Sequence, residues 1–226
     1  MKKKIFTLIL LALITVAFGC KANNLMLQKH LIERRDNLFL YNDSTYCASF
    51  YTGEREEPYE LDGEVNELVE FGIIIFYAHN QYKLSAESYP FELHVNDEIF
   101  TGNLERNDSD KTYSIDIEKT APADAVVTLK VALPSANFEQ TLVNVSKDFV
   151  ITQNQAIKIA GEELSSVLKD ILKSNKNVEV IVKMLKDFSD SESTKYYWYV
   201  GIVSSDGTTA GILIDTQTGE IISKKL

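Results

Sequence analysis

The stretch from Lys195 to Lys224 decides the fold predicted for the C-terminal part of the chain. It reads KYYWYVGIVS, then SDGTT, then AGILIDTQTGEIISK. Two runs rich in aromatic and β-branched side chains flank Ser205-Asp206-Gly207, and Asp-Gly between such runs predicts a β-hairpin. A second turn, Thr216–Gly219, precedes the short apolar run Glu220–Ser223. We therefore expect three consecutive antiparallel strands here.

A helix and a strand are predicted just before this stretch. Thr152 followed by Gln155 fits a capping box, which places a helix start at this point. The helix should end near Ser174-Asn175, and the alternation from Val178 to Met184 predicts the strand that follows. Apolar residues recur between these limits at three- and four-residue spacing, forming one helix face: Ala156, Ala160, Leu164, Val167, Leu168 and Ile171.

The segment Thr152–Lys224 resembles a PepSY-type domain, a small module of secreted peptidase propeptides and bacterial envelope proteins. The matching features are ITQNQAIKIA from Ile151, YWYV from Tyr197 and GILIDTQTGEII from Gly211. The resemblance implies one helix packed on an antiparallel sheet over residues 150–226. It also implies binding or inhibition of a partner, often a peptidase, without chemistry of its own. A cis-acting propeptide role does not fit, because no peptidase domain accompanies the module.

Residues 38–145 are patterned as short strands and turns. Apolar side chains alternate in Phe91–Val95, Tyr113–Ile117 and Val127–Leu133, and turn formers such as Asn42-Asp43-Ser44 and Asn96-Asp97 separate the runs. Six to eight antiparallel strands of this kind predict a β-sandwich, for which an immunoglobulin-like topology is one candidate. The predicted fold class is therefore α+β, with this β-sandwich followed by the smaller PepSY-like domain.

The first twenty residues predict export. The basic residues Lys2–Lys4 precede an uncharged apolar run, Ile5–Phe18, which suits a signal-peptide core and is too short to span a membrane. The ending Ala17-Phe18-Gly19-Cys20 resembles a bacterial lipoprotein signal, which would make residues 1–19 the signal peptide and Cys20 the lipidated first mature residue. Residues 20–37 would then form a tether.

Lipidation at Cys20 would place the protein at the bacterial cell envelope, facing outside the cytoplasm. Two or more acyl chains, palmitate among them, suffice for stable attachment to a membrane. The lipoprotein pattern usually has Leu and a small residue where this chain has Ala17 and Phe18. Ordinary secretory cleavage, which leaves Cys20 unlipidated and the protein secreted, is the alternative.

The charge of the chain argues against a nucleic-acid partner, and its cysteine content indicates a structural thiol. Removal of residues 1–19 takes three of the 23 basic residues and none of the 33 acidic ones, leaving a formal net charge of −13. Such a chain gains nothing from phosphate backbones, so we expect no nucleic-acid binding. Cys47 lies in an apolar strand-like run, which predicts a buried structural thiol.

The sequence contains no recognisable catalytic or metal-binding set. His30, His79 and His94 have no partner at metal-ligand spacing, and no GxSxG, Walker loop or GxGxxG occurs. Carboxylate clusters within residues 54–60, 108–110 and 187–192 lack the spacing of an EF-hand, so we expect solvated loops. We therefore expect no enzymatic activity, no metal and no cofactor.

Tyr197 and Tyr199 are the candidate partner-binding residues. Alternate residues of a strand face opposite sides, so both point outward if Trp198 points into the core. The expected function is that of a non-catalytic, lipid-anchored envelope protein that binds a peptide or protein partner such as a peptidase. A solute-capturing lipoprotein subunit of an envelope transporter is the alternative.

Overall fold

The computed structural model describes residues 26–60, 62, 64–79, 84–134, 137–173, 177–186, 194–207 and 209–226, with the backbone alone for 172–173. Residues 26–29 are helical and are called α1. Eight strands follow: β1 (Leu31–Asn42), β2 (Tyr46–Glu56), β3 (Leu68–Ala78), β4 (Ser88–Val95), β5 (Glu98–Asn107), β6 (Thr112–Ile117), β7 (Val127–Val131) and β8 (Phe138–Asn144). After a 3₁₀ turn at Val145–Asp148 come α2 (Gln153–Glu163), α3 (Ser165–Lys173), β9 (Val178–Lys186), β10 (Tyr196–Ser204), β11 (Thr209–Asp215) and β12 (Ile221–Lys225).

By its contacts the chain divides into two compact units. The barrel unit comprises Arg35–Arg55 and Leu68–Phe149. The sheet–helix unit comprises the described residues within Met1–Arg34, Glu56–Glu67 and Val150–Leu226. Strand β1 contributes to both units, and it begins at Leu31, inside the stretch 20–37 predicted as a tether.

The barrel unit is a closed eight-stranded antiparallel barrel. Neighbouring strands follow the order β1-β2-β3-β6-β5-β4-β7-β8, and β8 pairs back with β1. The closing pairs are Phe39 with Asn144 and Leu40 with Val143. Closure satisfies the backbone groups that β1 and β8 would otherwise leave open as sheet edges.

Alternate side chains of these strands fill the barrel interior. Aromatic rings dominate the packing, with ring centroids of Phe76 and Phe138 separated by 5.0 Å and those of Tyr89 and Tyr113 by 4.8 Å. Gly72 lies in a closely packed part of the barrel, because a Cβ there would come within 2.5 Å of Phe50 and of the Lys119 carbonyl oxygen.

The predicted fold class is wrong. Of the residues that the structure describes, 56% are in strands and 14% are helical, which makes the fold mostly β rather than α+β. The N-terminal part is the closed barrel rather than a β-sandwich with immunoglobulin-like topology. Alternation of apolar and polar residues marks the inner face of either fold, so the pattern alone does not distinguish them.

The sheet–helix unit has β9, β10, β11 and β12 as consecutive antiparallel neighbours. The start of β1 pairs with β9 in parallel, so the sheet is mixed rather than purely antiparallel as predicted. The capping box is confirmed: Thr152 Oγ1 accepts the N–H of Gln155, whose side chain accepts the N–H of Thr152. The prediction of a single helix is wrong, because an interruption at Leu164 divides this segment into α2 and α3.

One face of this sheet carries directly opposed apolar side chains. Trp198 lies between Met184 and Ile214, and Val200 lies between Val182 and Ile212. All of these side chains are buried, together with residues of α2 and α3 such as Ala156, Ala160, Leu164 and Leu168. This face of the sheet is the one that buries the apolar stripe of the helices.

Both short hairpins predicted from turn residues are confirmed. Strands β10 and β11 are joined through Asp206 and Gly207; Gly207 has φ +83, and the Ser204 hydroxyl donates to Asp206 at 2.7 Å. Strands β4 and β5 are joined through Asn96 and Asp97, with Asn96 at φ 52. Both turns use the positive φ that Gly and Asn tolerate best.

Candidate functional site

The two tyrosines predicted as partner-binding residues lie on the sheet face opposite Trp198. Trp198 is only 3% exposed, whereas Tyr197 and Tyr199 are half-buried. Trp198 thus points into the core, which is the condition under which both tyrosines are expected to face outward. The outer sheet face therefore presents two neighbouring phenol rings of β10.

Tyr199 lies flat across two glycines on adjacent strands. A Cβ at Gly201 would come within 2.5 Å of the Tyr199 hydroxyl, and a Cβ at Gly211 within 3.0 Å of its ring. Gly201 and Gly211 are directly opposed in the β10–β11 ladder. The ring therefore covers backbone that two missing side chains leave bare, which makes Tyr199 part of the fold as well as of the surface.

The residues that lie opposite these tyrosines on the adjacent strands include Lys183, Leu185 and Asp215. Tyr199 lies opposite Lys183, whose ammonium is 3.1 Å from the buried carboxylate of Glu33. Tyr197 lies between Leu185 and Asp215. The carboxylate cluster within residues 187–192 falls outside the described residues.

Asp215 closes the turn between β11 and β12. Its Oδ1 accepts the N–H groups of Gln217 at 2.8 Å and Thr218 at 2.9 Å, and Gly219 takes φ +76. The turn predicted at Thr216–Gly219 is confirmed. Partial burial works to raise the pKa of Asp215, but the hydrogen bonds from Thr218 and Gln217 outweigh it and hold the pKa below its ordinary value.

Strand β12 forms one edge of the sheet–helix unit's sheet. Within the described part of the chain it pairs with β11 alone. Ile222 is 48% exposed and Leu226 is 65% exposed. Lys224 reaches back to Glu163 at 3.3 Å and Lys225 to the Thr209 hydroxyl at 2.7 Å, so both ammonium groups contact their own unit. Because both ammonium groups are held by these contacts, the lysine side chains do not cover the outer edge of β12.

The barrel unit has a groove on its surface that no sequence pattern indicated. It is formed by residues 90–92 of β4, 101–103 of β5, 130–131 of β7 with the following Ala132, and 138–139 of β8 with the preceding Asn137, and has a volume of about 490 Å³. We call it the barrel groove. Its residues lie in adjacent strands but are scattered over fifty positions of sequence, so no local motif could have marked them.

The thiol and the imidazoles occupy ordinary structural positions. Cys47 is buried, as predicted. The pKa of the Tyr77 hydroxyl is raised, mainly because the side chain is buried and secondly because of its hydrogen bond with the Cys47 thiol. His79 lies 3.0 Å from the Asn42 side-chain oxygen, and His94 lies 3.2 Å from Glu92. Among the described residues, no three His, Cys, Asp or Glu side chains converge as a metal site would require.

The carboxylate clusters differ in their exposure. Asp108 is exposed and contacts Arg106 at 3.0 Å and Lys111 at 3.5 Å, which confirms a solvated loop. The same prediction is wrong for Glu56, which is 1% exposed. Its Oε2 accepts the N–H of Asn66 at 3.0 Å, while its Oε1 makes no hydrogen bond within the described part of the chain.

Cys20, the predicted lipidation site, lies outside the described residues. None of the helices that the structure describes is long and apolar enough to cross a bilayer. Comparison with known protein families, with curated proteins and with solved structures finds no match to this chain. The resemblance to PepSY-type domains therefore stays a prediction.

Proposed function

We propose that this chain is a non-catalytic envelope protein that binds an extended segment of a peptide or protein partner along β12. The observation that carries the proposal is the open edge of that strand. An edge strand presents unpaired N–H and C=O groups, and strand addition is a recurring mode of peptide recognition. The PepSY resemblance supports the same role, since it implies binding of a partner such as a peptidase.

The side chains of β12 are compatible with strand addition. Lysines on an edge commonly block pairing with another strand. Here Lys224 and Lys225 both contact groups of their own unit, Glu163 and Thr209. The exposed Ile222 offers apolar contact to a strand laid alongside. An added strand would also extend the outer sheet face that carries Tyr197.

Photo-crosslinking in the intact envelope tests this proposal. A benzophenone amino acid replaces Ile222 in the full chain, and the matched control places it at Val143, an exposed apolar residue of β8. We expect a specific adduct at position 222 and none at 143. A synthetic peptide copied from the crosslinked segment should then bind the purified chain, and Ile222→Lys should weaken that binding. Equal adducts at both positions, or a peptide indifferent to Ile222→Lys, exclude the β12 edge.

The membrane anchor is a separate part of the proposal. The basic residues Lys2–Lys4, the apolar run Ile5–Phe18 and Cys20 support lipid attachment after export. Labelling with a palmitate analogue should mark the native chain in the membrane fraction. Cys20→Ala should lose the label and the membrane attachment together. A Cys20→Ala chain that keeps the label excludes Cys20 as the acylated residue.

A further inference from the structure

We propose that the barrel groove binds a neutral, polyhydroxylated ligand, namely a short segment of an oligosaccharide. The groove lies wholly within the barrel unit and has a volume of about 490 Å³. That volume falls in the range of roughly 300–1,000 Å³ typical of small-ligand sites. The site is independent of the β12 edge.

Each charged group of the barrel groove lies close to a group of opposite charge, although one ammonium and two carboxylates leave a net charge of −1. Lys130 lies 3.2 Å from Glu139 and 4.0 Å from Glu92. Glu92 is also 3.2 Å from the imidazole of His94, just outside the groove. An anionic ligand would have to compete with Glu139 or Glu92 for Lys130, whereas a neutral ligand leaves these contacts intact. The groove therefore disfavours an anionic ligand.

The other polar side chains of the barrel groove are uncharged and exposed to a ligand. The side chains of Thr101, Asn103 and Asn137 are exposed and make no hydrogen bond with the described residues. Each amide offers two N–H donors and an acceptor oxygen, and the hydroxyl offers both roles. Sugar hydroxyl groups donate and accept in the same way. Exposed Pro90 and Ala132 supply the apolar surface against which C–H groups of a sugar ring can pack.

A peptide is the less suitable neutral ligand for this groove. Strand addition needs open backbone groups, but β4 is paired on both sides, with β5 and with β7, through the groove residues. Strand β7 is paired further with β8, from Val131 and Phe138 onward. Recognition here must therefore rely on side chains, which suits hydroxyl groups better than a peptide backbone.

Titration of the full chain by NMR tests the proposal. The probes are the neutral trisaccharides maltotriose, cellotriose and triacetylchitotriose, with N-acetylated, C-amidated trialanine as the neutral peptide. We expect at least one trisaccharide to shift backbone amides of residues 91–92, 101–103 and 130–132, with a dissociation constant of about 1 mM or tighter. The double variant Asn103→Ala/Asn137→Ala should weaken that binding at least tenfold.

The matched control is Asn154→Ala, which removes an exposed amide of α2 in the other unit and should leave binding unchanged. Unfolding midpoints of all variants are compared, because both asparagines of the groove are exposed and their loss should not alter stability. Three results overturn the proposal: no shift with any trisaccharide, shifts that the double variant retains, or shifts with the capped trialanine alone.

Discussion

Trp198 donates its indole N–H to the carbonyl oxygen of Ile151 across 2.7 Å. The bond joins β10 to the residue immediately before Thr152, the N-cap of α2. Ile151 also donates its own N–H to the carbonyl oxygen of Thr216 at 2.9 Å. Both backbone groups of Ile151 are thus satisfied, by a side chain of β10 and by the turn that follows β11, which fixes the point at which α2 begins.

Trp198→Phe should therefore destabilise the chain by about 1–3 kcal/mol. The variant keeps an aromatic ring but leaves the Ile151 carbonyl oxygen without its donor. Urea unfolding followed by far-UV circular dichroism measures the loss, because the variant has no tryptophan fluorescence. Tyr41→Phe is the control, since it removes an exposed hydrogen bond to Asp43 and should change the free energy of unfolding by less than about 0.5 kcal/mol. Equal effects of the two variants would contradict the role given to Trp198.

Local features of the sheet–helix unit could be predicted from the sequence. The capping box joins Thr152 to Gln155, and the β11–β12 turn joins Asp215 to Gly219, each within five residues. Such features depend on short-range hydrogen bonds that residue type and spacing specify. The outward direction of Tyr197 and Tyr199 follows in the same way from strand alternation.

Features that depend on distant pairing could not be predicted. The barrel closes through Phe39 with Asn144, and nothing in either strand's own pattern specifies the other as its partner. The barrel groove is assembled from four strands whose exposed polar residues resemble any solvated sheet face. The contact of Tyr199 with Gly211 likewise depends on the β10–β11 register rather than on a motif.

Asn144→Ala should be among the most destabilising polar substitutions in the barrel unit, at about 2–4 kcal/mol. Its amide nitrogen donates to Asn37 at 3.2 Å and to the Ala123 carbonyl oxygen at 2.9 Å, and its oxygen accepts from the Ser146 hydroxyl at 2.6 Å. Removing one member of a buried network leaves its partners unsatisfied. Thermal and urea unfolding measure the effect. Val143→Ala, at a neighbouring residue that is 65% exposed, should cost less than about 0.5 kcal/mol. Similar losses for both variants would show that the network contributes little.

Gly201→Ala should be destabilising only while Tyr199 is present. The added Cβ would lie 2.5 Å from the Tyr199 hydroxyl and 2.7 Å from its ring, so the ring must move off the sheet. We expect a loss of about 1–3 kcal/mol in the native background, as is typical of overpacking. With Tyr199→Ala the same glycine substitution should be close to neutral, because the obstructing ring is gone.

A double-mutant cycle of Gly201→Ala and Tyr199→Ala measures this coupling directly. Gly207→Ala is the matched control. Its Cβ would meet nothing within 4 Å, and its cost comes from the positive φ of 83. That cost should be the same with Tyr199 or Ala at position 199. A Gly201→Ala cost that is likewise unchanged by Tyr199→Ala would contradict the stacked arrangement.

The stability that ionised Asp215 contributes should decrease as pH falls. The hydrogen bonds from Thr218 and Gln217 hold its folded pKa below the ordinary value, which is about 3.9 for an unfolded chain. The contribution is therefore fully present above the unfolded pKa and is lost as pH falls through the lowered folded pKa.

Asp215→Asn keeps an acceptor oxygen but removes the charge, so it should cost about 1 kcal/mol at pH 7. The difference from the native chain should shrink steadily below about pH 4. Urea unfolding of both chains between pH 7 and pH 2.5 measures it, with Asp97→Asn in the exposed β4–β5 turn as the control. A difference that grows as pH falls would mean that the charge of Asp215 destabilises the turn.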